Sequence, residues 1–305
     1  MAEPVPGPTA VRRPPTLAAT LALLAATAAW GSTFVVVKNA IARMPVMEFL
    51  AWRFAIATVL LALVRPRAVA RLDRGGRRAG VVLGVALGAG YITQTLGLAT
   101  TPASVSGFIT GMFVVFTPLT AALLLRRPVG RTAWTAVAVA TVGLALLSLH
   151  GFSLGWGELL TLACALAFAL HIVGLGEWST PADAVGLAVV QLSTVTVLCA
   201  ACSGRGLLRP PPDDGVWVAL ALTAVAATAV AFLVQTWAQA HLAPTRAAIV
   251  MTMEPVFAGV FGVWLGGDRL GSRPLLGGAL VLAAMLLVEI DPRAQTLGPS
   301  LGSSW

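Results

Sequence analysis

The chain has 305 residues, of which 58% are hydrophobic and only 10% are charged, and its mean hydropathy is +0.88. A soluble domain exposes far more charge than this, so the composition excludes a soluble globular protein. The apolar runs are continuous rather than alternating, which argues against a membrane β-barrel. The net charge of +8 does not indicate nucleic-acid binding, because the arginines cluster in short loops between apolar runs.

Ten apolar segments come close to the roughly 20 residues that a helix needs to cross a bilayer. The predicted fold class is therefore an all-α, polytopic membrane protein with ten transmembrane helices. We expect the first segment to be retained, because it is span-length and lacks a convincing signal-peptide cleavage site. In chain order the predicted spans are 17–37, 46–64, 79–98, 103–125, 133–148, 157–175, 183–201, 216–238, 246–265 and 275–290.

The arginine distribution predicts the orientation of the chain. Residues 65–78 and 126–131 are rich in arginine, and both loops lie on the same side as the N-terminus if every span crosses the membrane. Basic loops stay preferentially in the cytoplasm. We therefore expect a plasma-membrane protein with both termini in the cytoplasm. The end segments 1–15 and 291–305 are rich in Pro, Gly and Ser and are predicted to be mobile.

Two residues of the first spans are candidates for a polar site. Trp30 precedes a Gly-Ser pair, which can loosen a helix, and its ring could stack on a flat substrate or cover a cation. Packing is an equal alternative for this ring. Arg53 lies in the middle of the second span, where its permanent charge requires a partner or water. It could clamp an anionic group of a substrate, or form a buried pair with Glu48 or Glu254.

The chain also repeats itself. Residues 91–148 align without gaps with residues 232–289, so that Gln94 falls on Gln235 and Met112 on Met253. The two glutamines are candidates either for lining a cavity or for hydrogen bonds between helices. Because each copy holds an odd number of spans, the second must cross the membrane in the opposite direction. This predicts two inverted five-helix repeats, 16–149 and 156–290, with a binding site between them near the midplane.

Other polar residues give weaker indications. His171 in the sixth span could titrate, but a hydrogen-bonded packing role is the preferred interpretation. The three histidines form no metal-spaced pair, and neither a metal nor a catalytic residue is predicted. On the third span, Gly80, Gly84 and Gly88 form a small-residue ladder that favours close helix packing.

The strongest indication of function is Glu254, followed by Pro255, in the ninth span. A carboxylate at membrane depth costs at least ~2.5 kcal/mol on insertion scales. The proline frees a backbone carbonyl, and we predict helix breaks at Pro255 and at Pro118 of the fourth span. Such a pair is useful where a cavity or a neighbouring helix satisfies it. We predict that Glu254 exchanges protons or contacts a cation, with backbone capping or pairing to a basic residue as the structural alternative.

Four stretches of the chain together resemble the EamA-like members of the drug/metabolite transporter superfamily. They are 29–34 (AWGSTF), 52–54 (WRF), 107–118 (GFITGMFVVFTP), and 253–257 (MEPVF) followed by 267–270 (GDRL). The resemblance covers about 21–290 and implies two inverted five-helix repeats around a central cavity. It also implies export of small metabolites, amino acids or drugs. Family members commonly carry Glu where this chain has Asp268, and the first repeat has Arg127 there.

We therefore predict a secondary transporter, because no phosphate-binding loop is present to couple transport to a nucleotide. A lipid flippase or channel-like facilitator is the alternative, and an intramembrane enzyme is the least favoured. The expected partners are the bilayer, a small-molecule substrate and protons, with a homodimer left open. Neither a cofactor nor a nucleic acid is expected.

Overall fold

The computed structural model describes residues 16–125, 130–150, 153–178, 184–204, 209–231 and 250–290, together with Val234 and Ala238. The first half of the chain is helical throughout its described part. Its helices are α1 (Thr16–Ile41), α2 (Val46–Val64), α3 (Ala68–Arg71), α4 (Arg74–Leu98), α5 (Ala103–Gly111), α6 (Phe113–Leu125) and α7 (Arg131–Ser148).

The two halves are joined by a short antiparallel pairing of β1 (Leu149–His150) with β2 (Ser153–Leu154). The second half is again helical in its described residues. Its elements are α8 (Trp156–Trp178), α9 (Ala184–Cys202), α10 (Asp214–Ala221), a π-helical segment (Leu222–Val230) that continues α10, α11 (Glu254–Trp264) and α12 (Ser272–Ile290).

Six segments of the described chain are long and apolar enough to cross a membrane, which confirms six of the predicted spans. They are Leu17–Ile41, Val46–Val64, Arg74–Leu98, Ala103–Leu124, Trp156–Leu175 and Val185–Cys202. The remaining predicted spans contain shorter apolar helices, at Trp134–Leu146, Asp214–Val230, Glu254–Trp264 and Ser272–Leu287. Large apolar side chains such as Leu63 and Trp264 stay exposed on these helices, as lipid-facing surfaces require.

α4 and α10 begin earlier than the hydropathy predicts, and an aspartate caps each of them. Asp73 Oδ1 accepts a hydrogen bond of 2.6 Å from the Gly76 amide, so α4 begins before its apolar run. Asp213 Oδ1 likewise accepts from the Val216 amide at 3.0 Å and starts α10. Capping side chains satisfy amides that the first helical turn leaves free.

The fourth predicted span is interrupted at Met112, where α5 ends and α6 begins. The predicted break at Pro118 lies six residues further on, and the α6 backbone continues through it to Leu125. The side chain of Pro118 lies outside the described atoms. A second interruption, at Thr252 and Met253, immediately precedes Glu254 and Pro255. Met112 and Met253 are equivalent in the ungapped alignment of the two halves.

Helix packing follows a paired pattern. The pairs α2 with α9, α5 with α11 and α7 with α12 join equivalent predicted spans of the two halves. The contact of α1 with the π-helical segment corresponds to the contact of α8 with α4. The contact of α1 with α11 corresponds to the contact of α8 with α6. Each of these contacts therefore recurs with the two halves exchanged.

The glycine ladder of α4 packs directly against α9. A methyl group added at Gly84 would lie 2.9 Å from the Gln191 carbonyl oxygen, and one at Gly80 would lie 2.7 Å from Val190. A side chain at either position would push the helices apart, which supports the packing interpretation of these glycines.

Candidate functional site

Glu254 occupies the first turn of α11, directly after the interruption at Thr252 and Met253. Pro255 follows at the start of the helix, where its missing N–H removes no intrahelical hydrogen bond. A carboxylate in this turn is favoured by the positive end of the helix dipole. The local sequence thus places an acidic group where a broken helix exposes backbone amides.

Two helices, α1 and α5, pack closely against this turn. A methyl group added at Gly31 of α1 would lie 2.9 Å from the Glu254 carbonyl oxygen, and one at Gly111 of α5 would lie 3.2 Å from Pro255 Cγ. The absence of side chains at Gly31 and Gly111 therefore allows α1 and α5 to contact the start of α11 closely.

Glu254 is a partly buried residue, and its carboxyl group has no hydrogen-bond or ion-pair partner among the described residues. Its charge acts on the Tyr91 hydroxyl of α4 and on the Cys164 thiol of α8. Tyr91 and Cys164 belong to two helices that pack against each other, so the Glu254 charge acts on the α4–α8 pair. An acidic group that no described side chain pairs with is available to a proton or to a bound cation.

Arg53 is 3% exposed and is held by the π-helical segment. Its Nε and Nη2 atoms donate to Thr228 Oγ1 at 3.4 and 3.3 Å. The Thr228 hydroxyl donates in turn to the Thr223 carbonyl at 2.7 Å. In the described part of the chain neither Glu48 nor Glu254 forms a salt bridge with Arg53.

Tyr91 links Arg53 to Glu254. The Arg53 guanidinium carbon lies 5.0 Å from the centroid of the Tyr91 ring, a cation–π distance. The Tyr91 hydroxyl interacts electrostatically with both charged groups. Its ring also makes edge contacts with Phe54 and Phe168, with centroids 4.8 and 5.3 Å away. We call Trp30, Arg53, Tyr91, Thr228 and Glu254 the central site.

Trp30 joins the central site through the same π-helical segment. Its Nε1 atom donates a hydrogen bond of 2.7 Å to the Ala227 carbonyl, next to the residue that holds Arg53. A π-helical turn is wider than an α-helical turn, and such turns are frequent at functional sites. The segment therefore positions two of the predicted site residues at once.

The other predicted site residues have different surroundings. Gln94 donates to Thr110 Oγ1 at 3.3 Å, and Thr110 also contacts the Cys164 thiol, so Gln94 borders the Glu254 region. His171 is buried and pairs with Gln191 at 2.6 Å between α8 and α9, which is a packing arrangement. Gln235 lies outside the described residues.

Sequence reasoning missed Tyr91 and Thr228. Tyr91 is the single tyrosine of the chain, and it lies one helical turn before Gln94 within an apolar helix. A lone phenol at membrane depth is a usable signal, because a buried hydroxyl needs a hydrogen-bond partner. Thr228 carries no such signal, since threonine is common in membrane helices.

A second polar cluster ties three helix ends together. Asp268 Oδ2 accepts hydrogen bonds from the Ser104 amide at 2.8 Å and from the Ser104 hydroxyl at 2.7 Å. Lys38 Nζ donates to the Thr101 carbonyl and interacts electrostatically with Asp268. We call Lys38, Thr101, Ser104 and Asp268 the cap cluster. It joins the end of α1, the start of α5 and the segment after α11.

The geometry of Asp268 depends on two glycines. Gly267 has a φ of +72°, a left-handed conformation that favours glycine. A methyl group at Gly262 would lie 2.8 Å from Asp268 Oδ2. The short side chain of aspartate fits this close approach to the start of α5.

No group of three His, Cys, Asp or Glu side chains among the described residues could hold a metal ion.

Comparison with known proteins gives a consistent result. Residues 17–149 and 155–290 each match the family described as "EamA-like transporter family". An "Uncharacterized transporter" of Archaeoglobus fulgidus is 31% identical over 262 residues, covering 86% of this chain and 82% of the relative. The "Uncharacterized inner membrane transporter YedA" of Escherichia coli K12 is 24% identical, covering 88% of this chain and 90% of the relative. A solved structure described only as a protein crystal structure has a TM-score of 0.61 at 19% identity, covering 92% of this chain and 99% of that one.

Proposed function

Because the chain belongs to the EamA-like transporter family, and is therefore a membrane-embedded, multi-pass transporter, we propose that it moves a small solute by alternating access around the central site. The observation that carries this proposal is the Glu254 carboxyl group, which has no hydrogen-bond or ion-pair partner among the described residues. The Glu254 backbone lies close to α1, and its charge acts on groups of α4 and α8.

We propose that the two halves are inverted five-helix repeats in a bundle of ten spans. The recurrence of the helix contacts compared above, with the halves exchanged, supports this arrangement. The equivalent interruptions at Met112 and Met253 support it as well. Two similar bundles of opposite direction can expose one site alternately to either side of the membrane.

In this proposal Glu254 carries a proton in one step and binds a cationic group of the solute in another. Burial in a low-dielectric site disfavours an unpaired carboxylate, so a proton or an amine must compensate it. Arg53, which packs on the Tyr91 ring, supplies a permanent positive charge, and it favours a solute that also carries an anionic group. The proposed solutes are therefore small amines and zwitterions. The proposed direction of their transport is export. The basic loops favour cytoplasmic termini in a plasma membrane.

The test is transport by the purified protein in proteoliposomes. A thermal-shift screen of amines and amino acids identifies ligands, and labelled ligand is then followed across the membrane. We expect saturable counterflow and a lumenal pH change that accompanies ligand flux. Movement of labelled lipids between leaflets without solute counterflow would contradict the carrier proposal and favour a flippase.

We further propose that the cap cluster closes one end of the transport path. For this end to open, the Asp268 carboxylate must leave the Ser104 amide, which costs about 1 kcal/mol for a lost helix cap. The Asp268→Ala variant is therefore expected to open this end about fivefold more often. Hydrogen exchange of the amides in 101–106 measures this opening.

Asp73→Ala is the matched control, because Asp73 caps α4 in the same way but lies outside the cap cluster. It should leave exchange in 101–106 and solute flux unchanged, whereas Asp268→Ala should alter both. Unchanged exchange at the start of α5 in Asp268→Ala would show that the cap cluster does not act as a gate.

A further inference from the structure

An arginine-lined recess lies at the end of α2. It has a volume of about 480 Å³ and is lined by Arg65, Pro66, Arg67, Ala68, Arg71 and Val185. The three arginines are exposed, and none of their guanidinium groups has a hydrogen-bond or ion-pair partner among the described residues. The recess therefore concentrates positive charge that the described part of the protein does not neutralise.

The recess sits at the boundary between the apolar and polar surfaces of the protein. α2 ends at Val64 and α9 begins at Ala184, and both helices are long and apolar enough to cross a membrane. On the last turn of α2, Leu63 is 69% exposed and Val64 is 60% exposed. The arginines are thus adjacent to apolar side chains that face the lipid.

The wall of the recess is a packed element rather than a free loop. The short helix α3 lies against α9, and a methyl group at Gly186 would be 2.6 Å from the Ala68 carbonyl oxygen. Leu72, which follows α3, is only 4% exposed. This packing fixes the backbone of the residues that carry the guanidinium groups.

We propose that this recess binds the phosphate group of an anionic phospholipid, with the acyl chains lying along Leu63 and Val64. Guanidinium groups match phosphate oxygens in bidentate geometry and keep their charge at any physiological pH. Basic pockets between transmembrane helices are suited to anionic headgroups. The adjacent apolar surface favours a lipid over a free phosphate ion, because it offers a place for the chains.

The experiment measures lipid binding to the purified full-length protein by native mass spectrometry. Phosphatidylglycerol and phosphatidylcholine are compared in the wild type, in the triple variant Arg65→Gln, Arg67→Gln, Arg71→Gln, and in a control. The control is the triple variant Arg74→Gln, Arg77→Gln, Arg78→Gln, which loses the same charge from the start of α4, outside the recess. All six positions are exposed or near a helix end, so neither variant removes core contacts.

We expect the wild type and the control to prefer phosphatidylglycerol by about tenfold or more, and the recess variant to lose this preference. Equal loss in both triple variants would overturn the proposal, because bulk charge alone would then explain binding. Inorganic phosphate is added in a separate arm at the same concentration as the lipid. If it displaces phosphatidylglycerol at that concentration, the site accepts soluble phosphate and the lipid assignment is wrong. The measurement is independent of solute transport.

Discussion

Glu254→Gln is expected to abolish proton-driven solute accumulation while leaving the protein folded. Glutamine keeps the size and the hydrogen-bonding capacity of the side chain but cannot bind or release a proton. It also removes the negative charge that would attract a cationic solute. We expect flux under a proton gradient to fall at least about tenfold, which corresponds to about 1.4 kcal/mol. Labelled-solute uptake into proteoliposomes, with and without a pH gradient, measures this loss.

Two further variants distinguish loss of the proton-binding group at this position from a general effect of removing a carboxylate. They are Glu254→Asp and Glu158→Gln. Aspartate keeps a carboxyl group at the start of α11 and should retain part of the flux and its response to pH. Glu158 lies in the first turn of α8, so Glu158→Gln removes a comparable carboxylate elsewhere and should leave flux close to the wild type. Wild-type accumulation by Glu254→Gln, on both sides of neutral pH, would mean that Glu254 does not couple transport to protons.

Hydropathy was sufficient to predict where the long helices lie, because lipid requires continuous apolar segments with satisfied backbones. It was less informative about where they begin. α4 begins at Arg74 because the Asp73 side chain caps it, and arginines at that end can reach water. The interruption of the fourth span at Met112, rather than near Pro118, was also not apparent. At Gly111, next to the interruption, the backbone packs closely against Pro255 of α11 and Met285 of α12.

The site was predictable only where a residue conflicts with its surroundings. Arg53 and Glu254 stand out, because a charge within an apolar span needs an explanation. Their partners do not stand out. Ala227 and Thr228 bind Trp30 and Arg53 only because the backbone there is π-helical, and nothing in their residue types marks that conformation.

Long-range polar contacts were similarly hidden from the sequence. Asp268 and Ser104 are 164 residues apart, and their contact exists because α5 and α11 pack side by side. The pairing of His171 with Gln191 likewise depends on how α8 and α9 pack beside α4. Repeat alignment suggests which spans are equivalent, but it does not specify which side chains meet across them.

Arg53→Met is expected to remove transport without loss of stability. The guanidinium is buried, and no carboxylate forms a salt bridge with it in the described part of the chain, so its removal leaves no opposite charge unpaired. Replacing a buried charge with an apolar side chain of similar length is often neutral or stabilising. The lost cation–π contact with Tyr91 costs about 2 kcal/mol, and removal of the desolvation cost of the buried guanidinium offsets it. Flux should fall at least about tenfold, because the positive charge of the central site is lost.

Arg43→Met provides the control, since Arg43 forms an exposed ion pair with Asp213 at 2.6 Å. An exposed pair contributes about 0–1 kcal/mol, so this variant should keep both its melting temperature and its flux. Arg53→Lys should also fail to transport, because a compact ammonium cannot cover the Tyr91 ring and reach Thr228 together. Melting curves and flux are measured on the same preparations. A large fall in melting temperature in Arg53→Met would assign Arg53 to structure, whereas lost flux at unchanged stability would place its charge in the transport step.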